Sequence, residues 1–259
     1  MSMHKQRYYL QGLGRALSLL EVLKDGGSCS LTAIAEQLHF DKTTVYRMLS
    51  TFAKHGWVRQ DPESRKYELG LKPIEYAYGV LSGLRIRKEA RPFLAHLQEV
   101  TGETAMLALI ENYRIVCVDL VESHASLRFQ LEIGETVKPH CTALGKAIIA
   151  HVPKQDLPHI VGNEPFPRFT PNTITDYEQL DRELEQIRRR GFAVDNHEFI
   201  EGATCIGAAV HDYTGSVVGG VSISAPSARV STARLHQFGE QLVEAASTIS
   251  SYLGYCEDT

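Results

Sequence analysis

The chain has 259 residues, 43% of them hydrophobic and 22% charged, which excludes extended disorder, a collagen repeat and a coiled-coil rod. No apolar run reaches the roughly 18 residues of a transmembrane helix, and the start of the chain lacks the apolar core of a secretory signal. Five widely spaced cysteines without a CxxC pair indicate reduced thiols, so we expect a cytoplasmic protein that binds no membrane.

The net charge of −4 is divided unevenly along the chain. Residues 1–80 carry 11 Lys and Arg against 8 Asp and Glu, whereas residues 81–259 carry 16 against 23. A basic head on an acidic body is expected when only one domain binds a polyanion. Chance could produce the same division of charge in a short segment, so the prediction of a DNA-binding domain has to rest on the local sequence pattern.

Three helical patterns open the chain. The first repeats leucine at helical spacing over Leu13–Leu23 and stops at a Gly-Gly pair. Ser30 is a candidate N-cap for a second helix over residues 31–38, and Asp41 for a third over residues 42–55. Because only two residues separate the last two helices, the pattern predicts a helix-turn-helix whose second helix enters the DNA major groove.

The chemistry of this region suits DNA. The exposed face of the third helix would carry hydroxyl and cationic groups for phosphates and base edges: Lys42, Thr43, Thr44, Tyr46 and Arg47. Two short strand patterns around a polar turn follow and predict a hairpin, or wing, with three cations for backbone phosphates: Arg59, Arg65 and Lys66. We therefore predict that residues 1–70 form a winged helix-turn-helix that binds double-stranded DNA; the alternative is a small helical cap with an inert hairpin.

A linker helix is predicted over residues 71–87. Its apolar residues fall on one face: Leu71, Ile74, Ala77, Tyr78 and Leu81. So wide a stripe needs a partner surface, which is either a second copy of the chain or the body domain of the same chain. A homodimer is expected in any case, because helix-turn-helix proteins commonly read two half-sites.

The remaining residues, 88–259, read as an α+β domain with an antiparallel sheet. Helices are predicted over residues 88–101, 142–149, 177–190 and 231–253. Strands are predicted over residues 104–110, 114–121, 127–131, 192–196, 205–211 and 217–224.

With these elements in place, the chain resembles the IclR family of bacterial transcriptional regulators from about residue 11 to residue 254. The stretches that carry the resemblance are Gly14–Leu20, Thr43–Leu49, Tyr67–Gly70, His140–Ala147, Arg189–Phe192 and Ser222–Pro226. The resemblance implies a winged helix-turn-helix, a linker helix and a GAF-like effector-binding domain. It also implies a homodimer or homotetramer that responds to a small organic acid, with no cofactor and no enzymatic activity.

The resemblance further implies where the effector binds, namely at Ala143, Leu144, Asp195, Cys205, Ser222 and Ser224. Backbone amides at a helix start attract a carboxylate, and serines two apart on a strand point to one face. Asp195 repels a carboxylate unless it accepts a ligand hydroxyl or holds a proton, which favours a keto or hydroxy acid. Leu144 is bulkier than the small residue often found there in the family and favours an apolar or aromatic edge on the ligand.

Each of these residues also has a plain structural interpretation. The serines could be ordinary strand residues, Cys205 a buried core thiol and Asp195 a turn cap. Lys146 could face the ligand, although a lysine on a helix more often caps the helix or pairs locally.

For a ligand-responsive regulator, we expect repression rather than activation of transcription. Three alternatives to such a regulator stay open. A cysteine hydrolase could use Cys141 beside His140, or Cys205 with His197 and Asp195. A metal could be held by donors without compact spacing: His140, Cys141, His197, Glu198 and Cys205. The body could also be a purely structural dimerisation domain.

Overall fold

The computed structural model describes residues 9–127 and 131–256. The chain divides into two compact units, Met1–Gly83 and Leu84–Thr259. Each unit is described by itself below.

The first unit is a winged helix-turn-helix. Its elements are α1 (Gln11–Gly26), α2 (Leu31–Leu38), α3 (Lys42–Lys54), β1 (Val58–Gln60), β2 (Tyr67–Leu69) and α4 (Lys72–Gly83). Both expected N-caps are confirmed, since Ser30 Oγ accepts from the amide of Ala33 at 3.2 Å and Asp41 Oδ1 from that of Thr44 at 2.8 Å. His39, in the turn between α2 and α3, has the left-handed conformation, with φ of 55°.

The core of this unit lies where α1, α2, α3 and the wing meet. It consists of Leu19, Val22, Leu23, Ile34, Ala35, Val45, Leu49, Val58 and Tyr67. The leucine stripe of α1 does not belong to it along its whole length, because Leu13 is 58% exposed and Leu17 is 54% exposed. The start of α1 therefore presents an apolar surface outside this core.

The helix α4 buries none of its residues. Ile74 and Tyr78, expected on its apolar face, are 63% and 75% exposed. The helix ends at Gly83, and residues 85–87 already belong to the next helix, because Leu84 has extended backbone angles.

The second unit has an antiparallel sheet and helices, which confirms the α+β fold class. Its elements are α5 (Arg85–Thr101), β3 (Thr104–Glu111), β4 (Arg114–Val121), α6 (Ala143–Ile149), α7 (Leu157–Val161), α8 (Tyr177–Arg190), β5 (Ala193–Asn196), β6 (Ala203–His211), β7 (Val217–Pro226) and α9 (Thr232–Tyr252). Short 3₁₀ turns stand at Lys154–Asp156 and Ser227–Arg229. The strand expected over residues 127–131 lies largely outside the described residues, and Leu127 and Leu131 are not in a strand.

The five strands are ordered β4-β3-β7-β6-β5, and every neighbouring pair is antiparallel. At the β4 edge, the chain around residue 136 adds a bridge, with hydrogen bonds from Cys117 N to Glu135 O and from Val137 N to Ile115 O. At the β5 edge, three alternate carbonyls accept from side chains. Arg190 Nε donates to Phe192 O at 2.5 Å, Lys146 Nζ to Val194 O at 2.7 Å and Asn172 Nδ2 to Asn196 O at 3.1 Å.

Helices pack on the sheet in two groups. α5 and α9 contact each other and the sheet, while α6 lies on β6 and β7 with α8 behind it. α6 approaches β6 closely, because a Cβ on Gly207 would lie 2.8 Å from Ala143 O. Asp176 is the residue that caps α8, through a 2.8 Å bond from Gln179 N. None of the helices in the described ranges is long and apolar enough to cross a bilayer.

Candidate functional site

The first turns of α3 present the side chains expected to contact DNA. Lys42, Thr43, Tyr46 and Arg47 are exposed and Thr44 is partly buried, whereas Val45 and Leu49 on the other face are buried in the core. The Asp41 cap fixes where the helix begins, and burial on one face fixes its rotation. One helix surface therefore carries two cations and three hydroxyl groups that are free to meet a groove.

The wing carries the other three expected cations, and all of them are exposed. Arg65 and Lys66 lie at its turn, where Arg65 has φ of 58°. Arg59 lies opposite Glu68 in the hairpin and forms an ion pair with it, Nε to Oε1 at 3.1 Å. Because an exposed pair of this kind contributes little, a phosphate can compete with Glu68 for the guanidinium.

A pocket in the second unit collects all six residues expected to bind an effector. The pocket encloses about 480 Å³ not filled by protein atoms, part of it open to solvent. Its lining consists of Met106, Leu131, Thr142, Ala143, Leu144, Asp195, Phe199, Ile200, Ala203, Cys205, Ser222 and Ser224. No lysine, arginine or histidine stands among these described lining residues.

Strand register explains how residues far apart in the chain meet here. Asp195 on β5 is directly opposite Cys205 on β6, and Cys205 is directly opposite Ser224 on β7. Ser222 lies two residues before Ser224 and therefore faces the same side of the sheet. The start of α6 covers this row, with Thr142 Oγ1 accepting from Gly145 N at 3.0 Å.

Ser222 has a buried hydroxyl without a partner. The residue is 1% exposed, and among the described residues its Oγ makes no hydrogen bond. Buried polar atoms in proteins are nearly always hydrogen-bonded, and leaving one unpaired costs free energy. A ligand with a polar atom at this point would satisfy the hydroxyl.

Asp195 serves as a turn cap at the pocket wall. Its Oδ1 accepts from Glu198 N at 2.7 Å, and burial raises the pKa of its carboxyl to about 6, although bonds from the amides of Glu198 and Phe199 oppose the rise. The carboxyl therefore takes up its proton at a higher pH than an exposed aspartate does, near pH 6. Burial also raises the pKa of the Cys205 thiol to about 12.

The sequence did not reveal the apolar side of the pocket. Met106 and Leu131 come from regions without a motif, and Phe199 and Ile200 come from the loop between β5 and β6. The signal available in the sequence was a pair of adjacent apolar residues inside a polar loop. In the structure Ile200 is 42% exposed despite its size, as expected for a residue at a binding surface.

Lys146 neither lines the pocket nor pairs locally on its helix. It is 1% exposed, and its ammonium reaches Glu198 Oε1 at 2.5 Å, 52 positions along the chain. Sequence spacing alone cannot predict such a pair, because it depends on how α6 is placed against β5.

The hydrolase and metal alternatives find little support in this geometry. The raised pKa values of Cys205 and Cys141 keep both thiols protonated at neutral pH, which makes them poor nucleophiles. His140 Nε2 donates to Pro167 O at 2.9 Å and is not directed to a thiol by any described contact. Within residues 9–127 and 131–256, no three His, Cys, Asp or Glu side chains are grouped to hold a metal.

Two family models match this chain and together cover most of it. The bacterial transcriptional regulator IclR C-terminal model matches residues 78–251, and the IclR helix-turn-helix model matches residues 12–62. The chain belongs to the IclR family. It is accordingly a DNA-binding transcriptional regulator, and its relatives are regulators rather than enzymes.

Individual relatives and solved structures agree with this assignment. The regulator BhcR of Paracoccus denitrificans is 33% identical over 93% of this chain and 86% of its own. The repressor AllR of Klebsiella pneumoniae is 31% identical over 94% of this chain and 90% of its own. The IclR structure from Thermotoga maritima matches with a TM-score of 0.72 at 34% identity, covering 95% of this chain and all of that one.

Proposed function

We propose that this IclR-family protein is a cytoplasmic repressor whose affinity for its operator is controlled by a small organic acid bound in the pocket of the second unit. The DNA contacts would be made by Lys42, Thr43, Thr44, Tyr46, Arg47, Arg59, Arg65 and Lys66. The effector contacts would be made by Ala143, Leu144, Asp195, Cys205, Ser222 and Ser224. Repression is proposed because the AllR relatives from several bacteria carry the name repressor.

The unpartnered hydroxyl of Ser222 is the observation that carries the effector proposal. It lies in a pocket that is also lined by Ala143 and Leu144, the first residues of α6, and the first amides of a helix have no acceptor within their own helix. A carboxylate or carbonyl oxygen placed between them would accept from both. A domain that served only for dimerisation would not require a buried hydroxyl without a hydrogen-bond partner beside a pocket.

The rest of the lining narrows the ligand class. No cation faces the pocket among its described residues, so the carboxylate would be held by dipoles and hydroxyls rather than by a salt bridge. The walls formed by Met106, Leu131, Phe199 and Ile200 suit an apolar group. We therefore favour keto, hydroxy and aromatic acids with an apolar part over sugar acids.

A thermal unfolding screen tests this function. The purified protein is unfolded in the presence of keto, hydroxy, sugar and aromatic acids, and a ligand at about 100 times its Kd adds about 2.7 kcal/mol to the unfolding free energy. A stabilising acid that no longer acts on Ser222→Ala supports the sensor. If no acid stabilises the protein while DNA binding is retained, the second unit is better explained as a purely structural dimerisation domain.

A homodimer or homotetramer is part of the proposal. The exposed apolar residues of α1 and α4 support it, since Leu13, Leu17, Ile74 and Tyr78 are all more than half exposed. A second copy of the chain would cover these faces and bring two recognition helices to one operator.

A further inference from the structure

The segment of residues 197–202 forms one wall of the pocket. It connects β5 to β6, and its Phe199 and Ile200 line the pocket. The segment is irregular: His197 has φ of 62°. The described bonds that close it are short-range: Gly202 N to His197 Nδ1 at 2.9 Å, Ala203 N to Ile200 O at 3.2 Å and His197 N to Ala203 O at 3.2 Å. Its position must therefore be set by contacts outside itself.

Glu198 supplies several of those contacts, beside the bonds from Thr170 Oγ1 to His197 O at 2.6 Å and from Ser227 N to Gly202 O at 2.8 Å and the ring contact between Phe169 and Phe199. The amide of Glu198 donates to Asp195 Oδ1 at 2.7 Å, and its carbonyl accepts from the hydroxyls of Thr170 at 3.1 Å and Thr173 at 2.6 Å. Its side chain accepts from Lys146 Nζ at 2.5 Å. One residue thus ties the wall to α6, to β5 and to the loop before α8, immediately ahead of the two residues that line the pocket.

Lys146 depends on this pairing. Its side chain is 1% exposed, and its other carboxylate neighbour, Glu183, is 3.6 Å away and already paired with Arg190 at 2.8 Å. A buried ammonium is tolerated only when a charge and hydrogen bonds compensate for the lost water. Neutralising Glu198 therefore leaves Lys146 with one distant carboxylate and the carbonyl of Val194.

We propose that the Lys146–Glu198 ion pair is a clasp that holds the pocket wall in place, that Glu198 is a positioning residue for the effector, and that the clasp loosens when Glu198 takes up a proton. The statement about the effector rests on the proposed function; the clasp and its response to protonation do not. The groups around Glu198 are Lys146 on α6, Glu183 and Arg190 on α8, Asp195 on β5, His197 in the wall, and the protonated thiols of Cys141 and Cys205. With Glu198 itself, three carboxyls stand beside two cations, Lys146 and Arg190.

The direction of the pH dependence follows from burial. Burial raises the pKa of Glu198 to about 7, although Lys146 opposes the rise. Above that pH Glu198 is charged and the clasp is closed. Below it Glu198 is neutral, and the wall loses the ion pair but keeps its backbone bonds and the ring contact between Phe169 and Phe199. Asp195 changes charge near pH 6 and acts the other way on an anionic ligand, because its neutral form no longer repels a carboxylate.

Amide hydrogen exchange of the unliganded full-length protein tests the clasp without knowledge of the effector. After correction for the intrinsic rate, we expect the protection of the Glu198, Gly202 and Ala203 amides to fall by up to about tenfold from pH 8 to pH 6, as the charged fraction of Glu198 falls. Glu198→Gln should show the low protection at both pH values. Any pH dependence left in that variant is then assigned to Asp195 rather than to Glu198.

Glu185→Gln is the matched control, because Glu185 lies on α8 in an exposed pair with Arg189 and should behave like the native protein. Protection that is independent of pH in the native protein, or unchanged in Glu198→Gln, would overturn the clasp. If the amides of β3, β6 and β7 are no longer protected in Glu198→Gln, the variant has not folded. The pH series on the native protein then tests the clasp by itself.

A calorimetric titration with pyruvate and phenylglyoxylate at pH 8 and pH 6 tests the consequence for binding. For a probe that binds, the affinity of Glu198→Gln at pH 8 should be several-fold weaker than native. Equal affinities would remove Glu198 from the positioning role. If neither acid binds the native protein while the exchange result holds, the clasp stands and the proposed effector class is wrong.

Discussion

Two buried serines of the second unit differ in whether the hydroxyl has a partner. Ser222 and Ser250 are each 1% exposed, but Ser250 Oγ accepts from His211 N at 3.0 Å and donates to Ala246 O at 2.7 Å. Ser222→Ala should leave the unfolding free energy unchanged or raise it by up to about 1–3 kcal/mol, because no bond is lost. Ser250→Ala should lower it by a similar amount. Denaturant titration of the two variants measures both, and a large loss for Ser222→Ala would reveal a structural role.

Arg47 is the side chain best placed to read a base, since it is exposed one turn into α3. Arg47→Ala should weaken binding to a duplex selected from a random library by about 1–3 kcal/mol and relax the preference at one position. Lys54→Ala, at the far end of the same helix, serves as the control. Unchanged affinity of Arg47→Ala in a gel-shift titration would exclude Arg47 from base contact.

At the residue level, the sequence predicted roles that depend on neighbours in the chain and missed those that depend on packing. The six pocket residues were recognised by resemblance, and strand register explains why they meet. Glu198 was considered only as a metal donor, and its pairing with Lys146 was not foreseen. Nothing in the spacing of these two residues indicates that α6 lies against the edge of β5.

The recognition helix depends on a single cap for its first turn. Asp41→Ala removes the acceptor of the Thr44 amide and should lower the stability of the first unit by about 0.5–2 kcal/mol. Because Lys42, Thr43 and Thr44 stand in that turn, affinity for DNA should fall as well. Asp41→Asn, which can still cap, should be close to native in both chemical denaturation and DNA binding. Equal behaviour of the two variants would show that the cap contributes little.

Elements with clear start and stop signals were predicted almost to the residue, as α2, α8 and β4 show. Errors arose where burial depends on a partner. The leucine stripe of α1 predicts one buried face, yet its first turns are exposed, because the core of the first unit lies at the other end of the helix. A periodic pattern shows which face is apolar and leaves open what covers it.

For the molecule as a whole, the proposed dimer predicts how operators are spaced. A duplex with two half-sites about 10–10.5 base pairs apart, or a multiple of that spacing, should bind far more tightly than a single half-site. Sedimentation should show at least a dimer in the absence of DNA, and Leu17→Glu with Ile74→Glu should shift it toward the monomer. A native monomer that binds one half-site as tightly as two would contradict this assembly.

Both edges of the sheet in the second unit are partly covered, which affects how two copies can meet. Alternate carbonyls of the β5 edge are occupied by Arg190, Lys146 and Asn172, and the β4 edge is bridged by the chain near residue 136. Unpaired strand edges are the usual templates for strand addition and for fibril growth. With these backbone groups occupied, both edges of this five-stranded sheet are poorer templates for a strand of a neighbouring copy. Assembly of copies, and the growth of fibrils in a crowded cell, is therefore less favoured through this sheet than contact between side-chain surfaces.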